Sequence, residues 1–282
     1  MSRQRAAARM VMALVAVVLL GMVVYLAGYS RLAHVISQDQ LNTELRAQLE
    51  AGTLPVSEGT FDDVLLVDGA PIAQLQIPQL GVDETVVEGT TSGDLAAGPG
   101  HRRDTVLPGQ AGASVIMGRA AAFGGPFGRL QELQIGETFT VVTGQGEQRF
   151  AVIGVRYAGD PAPAPITSGM SRLILETARG PAFLPTGVLR VDADLVSTVQ
   201  PRGARATTHA ALPPAAMELA GDPSHLWALV FALQGLVLVE LGAVWTYRRI
   251  GARQAWIVFV PLALLAVLVA ADQSVRVLPN LL

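Results

Sequence analysis

The chain has 282 residues, of which 51% are hydrophobic and 15% charged, with a formal net charge of -3 and a mean hydropathy of +0.43. That balance is too apolar for an ordinary soluble protein and too polar for one built only of membrane spans, and it implies one domain of roughly 150 residues beside a few transmembrane helices. The near-neutral charge and the lack of a basic stripe argue against nucleic-acid binding, while the absence of cysteine excludes disulfides and any thiolate nucleophile.

Residues 10–28 form the first apolar run, about long enough to cross the hydrocarbon core. Arg3, Arg5 and Arg9 precede it without an acidic residue, so residues 1–28 are read as a cytoplasmic amino-terminal stretch and a first span. The run is longer than a signal-peptide core and no A-x-A site follows, which favours an uncleaved anchor over a signal peptide. Leu32, Val35, Ile36, Leu41, Leu45 and Leu49 then recur at helical spacing and predict an amphipathic stalk helix over residues 30–51. Gly52, Pro55 and Gly59 end it, so residues 29–70 comprise stalk and linker.

From Pro71 the pattern changes to short strands, at residues 72–77, 84–88, 114–117, 138–142, 148–157, 172–177 and 188–195, punctuated by Gly, Pro and Asp. Many short strands with few helices predict an all-β sandwich or barrel over residues 71–197. Residues 198–225, rich in Pro, Ala and Thr, are expected to form an irregular tether. Two further apolar runs, residues 226–246 and 255–275, flank a short loop at 247–254 that holds Arg248, Arg249 and Arg253. The positive-inside rule places that loop in the cytoplasm and residues 29–225 outside, with residues 276–282 as an extracytoplasmic tail. Gln234 and Glu240 lie within the second span and do not share one helical face; a helix–helix or partner contact, a transport role and tolerated polarity all remain open for them. Asp272, near the outer end of the third span, is expected to reach the headgroups.

Local words within the strand-rich segment carry more than propensity does. Ile77-Pro78-Gln79-Leu80-Gly81-Val82, followed by Val86-Val87-Glu88-Gly89, resembles the opening strands of sortases. Gly98-Pro99-Gly100-His101 and Pro108-Gly109-Gln110-Ala111-Gly112 are similar to that family's G-P-G-H and P-G-x-x-G-N stretches. Val115-Ile116-Met117-Gly118-Arg119, Gly125-Pro126-Phe127 and the run from Leu130 to Glu137 resemble its G-H-R strand, its P-F-x-x-L turn and its L-x-x-G-D strand entry. Leu173-Ile174-Leu175-Glu176-Thr177-Ala178 stands where sortases carry T-L-x-T-C. The ordered set covers about residues 72–196 and looks closest to the class D and E sortases of Gram-positive bacteria. The fold class implied is mainly β: a closed sortase-like β-barrel ectodomain, with one amino-terminal and two carboxyl-terminal transmembrane α-helices.

Sortases are cysteine transpeptidases, and the resemblance implies a cysteine nucleophile, a histidine acid/base and an arginine that steadies the oxyanion. Carried over by position, the cysteine slot is Ala178 and the histidine slot is Arg119, while the arginine slot is Val188 or Arg190. No catalytic residue is therefore expected. Thr177 adjoins the empty slot but should face away from it on a strand, and Ser168 and Ser171 are alternative hydroxyls. His101, Arg119, Glu176 and Arg190 are candidates to line a groove. An arginine at position 119 cannot act as a base near neutral pH, but it can clamp a peptide carboxylate or carbonyl, or pair with a local acid such as Glu176 and seal the groove. His34, His209 and His225 lie outside the barrel without ligand spacing, so no metal and no cofactor is expected. Leu184-Pro185-Thr186-Gly187 is similar to a sorting signal but reads better as a turn before the last strand.

Three functions fit these features. The leading one is a membrane-anchored, catalytically inactive sortase-like protein at the bacterial cell surface that binds a peptide or protein partner, or serves as a membrane-complex subunit. The others are an active transpeptidase or peptidase with an atypical nucleophile, and a structural subunit associated with a transporter. The expected partners are the lipid bilayer and a protein or peptide, not nucleic acid.

Overall fold

A computed structural model describes residues 3–60 and 64–282. Residues 1–2 of the first predicted segment, residues 61–63 of the linker, and the side chains of Arg3, Arg5 and Arg9 lie outside that description. The chain divides into two compact units, one comprising Ser30–Gly221 with Pro279–Leu282, the other Met1–Tyr29 with Asp222–Leu278.

The first unit is a closed eight-stranded barrel. Its strands are β1 (Pro71–Ile77), β2 (Val82–Glu88), β3 (Gly100–His101), β4 (Gly112–Met117), β5 (Thr138–Thr143), β6 (Gly146–Tyr157), β7 (Ser171–Arg179) and β8 (Gly187–Leu195). They close in the order β1-β2-β3-β4-β7-β8-β6-β5, antiparallel except for the β2–β3 and β4–β7 pairs. Closure removes the unpaired edges that an open sheet of this size would expose. Strand alternation fills the interior: Leu173 and Leu175 of β7 join Ile72, Leu75, Val141, Phe150, Leu189 and Val191 in one buried core. Ile174 and Ala178 point the other way, into a second cluster outside the barrel wall.

Each predicted strand is present, lengthened at one or both ends. The two-residue β3 is too short to show any period, and the sequence does not reveal it. The Gly98-Pro99-Gly100 word marks it instead, because crowding at the two glycines leaves no room for a Cβ. A Cβ on Gly100 would stand 2.1 Å from the Gly89 carbonyl oxygen, and one on Gly98 would stand 2.2 Å from Gln38 Nε2.

The predicted stalk helix is α1 (Ser30–Ala51), but it does not stand free. Gln38 donates through Nε2 to the carbonyls of Thr85 (3.1 Å) and Ala97 (2.9 Å) and accepts from Thr85 N at 2.7 Å, while His34 Nε2 lies 3.1 Å from Glu84. These polar anchors lay the helix along β1 and β2, which explains why both faces of β1 are buried. Residues 198–221 are irregular as expected, with 3-10 turns at His209–Ala211 and Pro214–Ala216, yet they hug the barrel. Thr90 Oγ1 donates to Ala216 O at 2.7 Å, and Glu58 accepts from the backbone of Ala206 and Thr207 and from the Thr207 hydroxyl.

The second unit is helical: α2 (Arg3–Val24) with a π turn at Tyr25–Tyr29, α3 (Leu226–Arg249) and α4 (Ala252–Val277). Two stretches, Pro223–Arg249 and Arg253–Val277, are long and apolar enough to cross a membrane, whereas the apolar part of the amino-terminal helix among the described residues is only Val15–Val24. Gly21 packs where a Cβ would fall 1.7 Å from Val267 Cγ1. Asp272, expected at the headgroups, has partners within the protein. It accepts from the Tyr25 hydroxyl at 2.7 Å and from Arg276 Nε at 2.9 Å, so its charge is satisfied within the protein. Gln234 is exposed and Glu240 half-buried.

Candidate functional site

The site is set by the parallel β4–β7 ladder. Met117 pairs with Glu176, Gly118 N donates to Glu176 O at 2.9 Å, and Thr177 Oγ1 donates to Gly118 O at 2.8 Å. The ladder ends at the Met117–Glu176 pair, with Arg119 two residues beyond Met117 and Ala178 two residues beyond Glu176. Across the antiparallel β7–β8 ladder, Ala178 faces Val188 and Glu176 faces Arg190. Alternation therefore puts Glu176, Ala178, Val188 and Arg190 on one face and Thr177 on the other, where it is buried. Both readings of the family's arginine position thus share the groove face.

Arg119 is 1% exposed and is among the largest fully buried side chains. Its Nη2 donates to Ser92 O and Ser92 Oγ, both at 2.8 Å, its Nε to Leu95 O at 3.2 Å and its Nη1 to Leu282 O at 3.2 Å. The guanidinium carbon sits 4.9 Å from the Phe123 ring centroid. The expected pairing with Glu176 does not form. Glu176 Oε1 instead accepts from Arg190 Nε at 2.6 Å, and Arg190 Nη2 donates to Glu218 Oε1 at 2.8 Å. The ladder presents Arg190 directly opposite Glu176, whereas the Arg119 fork is already directed at backbone carbonyls. The chain extends further: Arg102 lies 3.6 Å from Glu218 and 2.7 Å from Asp104.

Burial, followed by repulsion from Glu218, pushes the Glu176 carboxyl up to about 7, while Arg190 holds the more exposed Glu218 below its ordinary value against the effect of burial. A carboxyl that binds its proton more tightly when folded stabilises the fold fully below its ordinary value of 4.5 and loses that contribution as pH rises through about 7. Glu176→Gln keeps the acceptor for Arg190 and removes the titration. Its melting temperature should therefore gain on the wild type's across that pH window; a constant difference at every pH would refute the assignment.

Beneath this face lies the second cluster, formed by Leu95, Val115, Met117, Val188 and Leu281, with Ile174, Ala178 and Leu219 packed against it. A cavity of about 350 Å³ adjoins it, lined by Ala120, Tyr157, Ala178, Arg179 and Leu189 among others.

The other candidates fall elsewhere. His101 is wholly buried rather than lining an open groove. Its Nδ1 lies 2.9 Å from Glu88 Oε2, and its Nε2 lies 2.9 Å from Val106 O and 3.1 Å from Thr105 Oγ1. Both ring nitrogens are engaged, and none is left for a ligand. Ser168 is exposed, and Ser171 opens β7, seven residues from Ala178. At about 3.3 Å per residue that separation is roughly 23 Å, too far to act on the same bond. Leu184-Pro185-Thr186-Gly187 is the connection into β8, where Thr186 N donates to Arg179 O at 2.7 Å. Among the described residues no three His, Cys, Asp or Glu side chains are grouped to hold a metal ion. Sequence reasoning missed Glu218 and the segment Pro279–Leu282. The one available signal was a proline followed by Asn-Leu-Leu directly after a membrane-length helix.

An eight-stranded barrel with two parallel joins, and a groove face where β4, β7 and β8 meet, is the architecture of a sortase domain, and residues 75–177 match that family by its sequence model. The chain thus resembles the sortase family over that segment. It is similar to sortase D of Bacillus subtilis (strain 168), 30% identical over 79 residues, a match covering 28% of this chain and 38% of that protein. Among solved structures it is similar to a sortase D5 transpeptidase of Clostridium perfringens, at 16% identity and a TM-score of 0.44 over 58% of this chain and 99% of that one. It is also similar to sortase C-1 of Actinomyces oris, at 22% identity and a TM-score of 0.42 over 55% and 99% of the two chains.

Proposed function

We propose that this protein is a non-catalytic member of its family: a membrane-held barrel at the bacterial cell surface that binds a peptide or protein instead of cleaving one. The observation that carries the reading is the pair at the head of β4 and β7. Acyl transfer of the cysteine type needs a thiolate and a proton carrier on neighbouring strands. Here the aligned positions hold a methyl group, Ala178, and a guanidinium, Arg119, which donates to backbone carbonyls and cannot relay protons near neutral pH. No cysteine occurs anywhere in the 282 residues. Arg190, the other charged group on this face, is held between Glu176 and Glu218.

The multi-pass arrangement belongs to the same proposal. Arg248, Arg249 and Arg253 hold the short α3–α4 connection on the cytoplasmic side, leaving the barrel outside. Because the chain lacks cysteine, single substitutions report the sides directly. Gln79→Cys on the barrel surface should react with an impermeant maleimide on intact cells, and Ile250→Cys only after permeabilisation; the reverse pattern would reject the topology.

The function itself is tested by incubating the full chain in detergent with sorting-motif peptides and an amine acceptor. The expected result is no cleavage or transfer above the protein-free blank. Turnover above that blank that disappears in Ser168→Ala, the variant remaining folded, would establish an atypical nucleophile in place of this reading.

A further inference from the structure

Four residues of the chain itself lie in the groove. In Pro279–Leu282, Asn280 and Leu281 are 0% exposed and Leu282 6%, a degree of burial that a short extended segment reaches only inside a fitted site. The Leu281 side chain completes the second cluster, against Leu95, Val115, Met117 and Val188. Its carbonyl accepts from Ala120 N at 2.9 Å, and a main-chain oxygen of Leu282 accepts from Arg119 Nη1 at 3.2 Å. Asn280 N donates to Ala220 O at 2.9 Å, and Asn280 Nδ2 donates to Thr90 O at 2.8 Å and Met217 O at 2.9 Å. One apolar pocket, one amide-reading pair of carbonyls and two donors to successive main-chain oxygens make up a peptide-recognition set, not a generic packing contact.

We infer that the groove beside Ala178 is a binding site for extended peptides of the type proline, asparagine and two leucines, and that the chain's own Pro279–Leu282 occupies it in cis. The inference rests on the reading of the barrel as a binding module. It adds the ligand class, and a control: an outside peptide binds only when the internal segment is released. Arg119 then recognises a main-chain oxygen at the end of the bound segment, and Ala178 leaves the floor free of any group that would attack it. The intramolecular segment is present at high effective concentration, so a free peptide of equal contacts competes poorly until that segment is weakened.

Asn280→Asp is the discriminating variant. It is isosteric, but its carboxylate would face the carbonyls of Thr90 and Met217, which accept the Asn280 amide hydrogens. Val188→Cys supplies the only thiol of the full chain, in the pocket under Leu281, and its maleimide reaction in detergent is timed with and without Asn280→Asp. The expected result is a rate increase of roughly tenfold or more on adding Asn280→Asp, the opening equilibrium shifting by at least one lost hydrogen bond. Acetyl-Leu-Pro-Asn-Leu-Leu-amide added in excess should slow the reaction again. A rate unchanged by Asn280→Asp would overturn cis occupancy, and a faster rate indifferent to the peptide would overturn peptide recognition. Leu173→Cys, in the barrel core, stays unreactive while the domain is folded; where it reacts, Leu281→Ala is read in place of Asn280→Asp by the same criteria. Enzymatic turnover would remove the non-catalytic reading without changing these rates, so the two ideas fail separately.

Discussion

Glu88→Ala should destabilise the barrel by about 3–5 kcal/mol, the range for removing one partner of a buried ion pair. Glu88 and His101 are both 0% exposed and meet at 2.9 Å on the parallel β2–β3 pair, and Arg205, whose side chain is 2% exposed, approaches the second carboxylate oxygen at 3.4 Å. Without the carboxylate, two cationic or polar groups are left facing apolar surroundings with no counter-charge. Burial alone would raise the Glu88 carboxyl, yet His101 and then Arg205 hold it below its ordinary value. Its contribution is therefore present above 4.5, the ordinary value, and is lost as pH falls through the folded-state value. Thermal or denaturant unfolding of the full chain in detergent measures the loss. Glu88→Gln should recover part of it, because it restores an acceptor without the charge. A loss under about 1 kcal/mol for Glu88→Ala would mean that the pair is dispensable.

Phe150→Ala should cost a similar amount, about 3–5 kcal/mol, through lost burial and the cavity left behind. Phe150 on β6 is 0% exposed and pairs across the ladder with Phe139 on β5, their rings stacked with centroids 5.8 Å apart. Both rings belong to the barrel core, whose close packing limits collapse into the vacated space. Ile135→Ala is the matched control: that side chain is 75% exposed, and its removal should change stability by no more than about 0.5 kcal/mol. Equal effects for the two would contradict the placement of the core.

The two variants touch different kinds of information. Phe139 and Phe150 sit in strands that announce themselves by alternation, and so do Leu173, Leu175, Leu189 and Val191; the predicted strands therefore reappear with small changes at their ends. The words around Gly98-Pro99-Gly100-His101 and Leu173 to Ala178 align Ala178 and Arg119 with family positions, each two residues past the last pair of the β4–β7 ladder. The partners of Arg119 were not legible. Ser92 and Leu282 lie 27 and 163 residues away in the chain, and the assignment to Glu176 went to Arg190 because β8, not β4, presents its cation across from that carboxylate. His101 read as a groove candidate because its type suggested chemistry, whereas its burial against Glu88 depends on a two-residue strand that has no period to detect.

By itself the sequence determined whatever depends on neighbours in the chain: alternating strands, apolar helices of membrane length, the arginines of the short connection between them, and the lack of any sulfur nucleophile. Those properties are written in residue type and local spacing. Only the tertiary structure decided that the stalk helix lies against β1 and β2, that Glu218 closes over Arg190, and that Pro279–Leu282 fills the groove beside Ala178. Such contacts join segments tens to hundreds of residues apart, and their selection depends on which buried donors and carbonyls the closed barrel leaves facing one another.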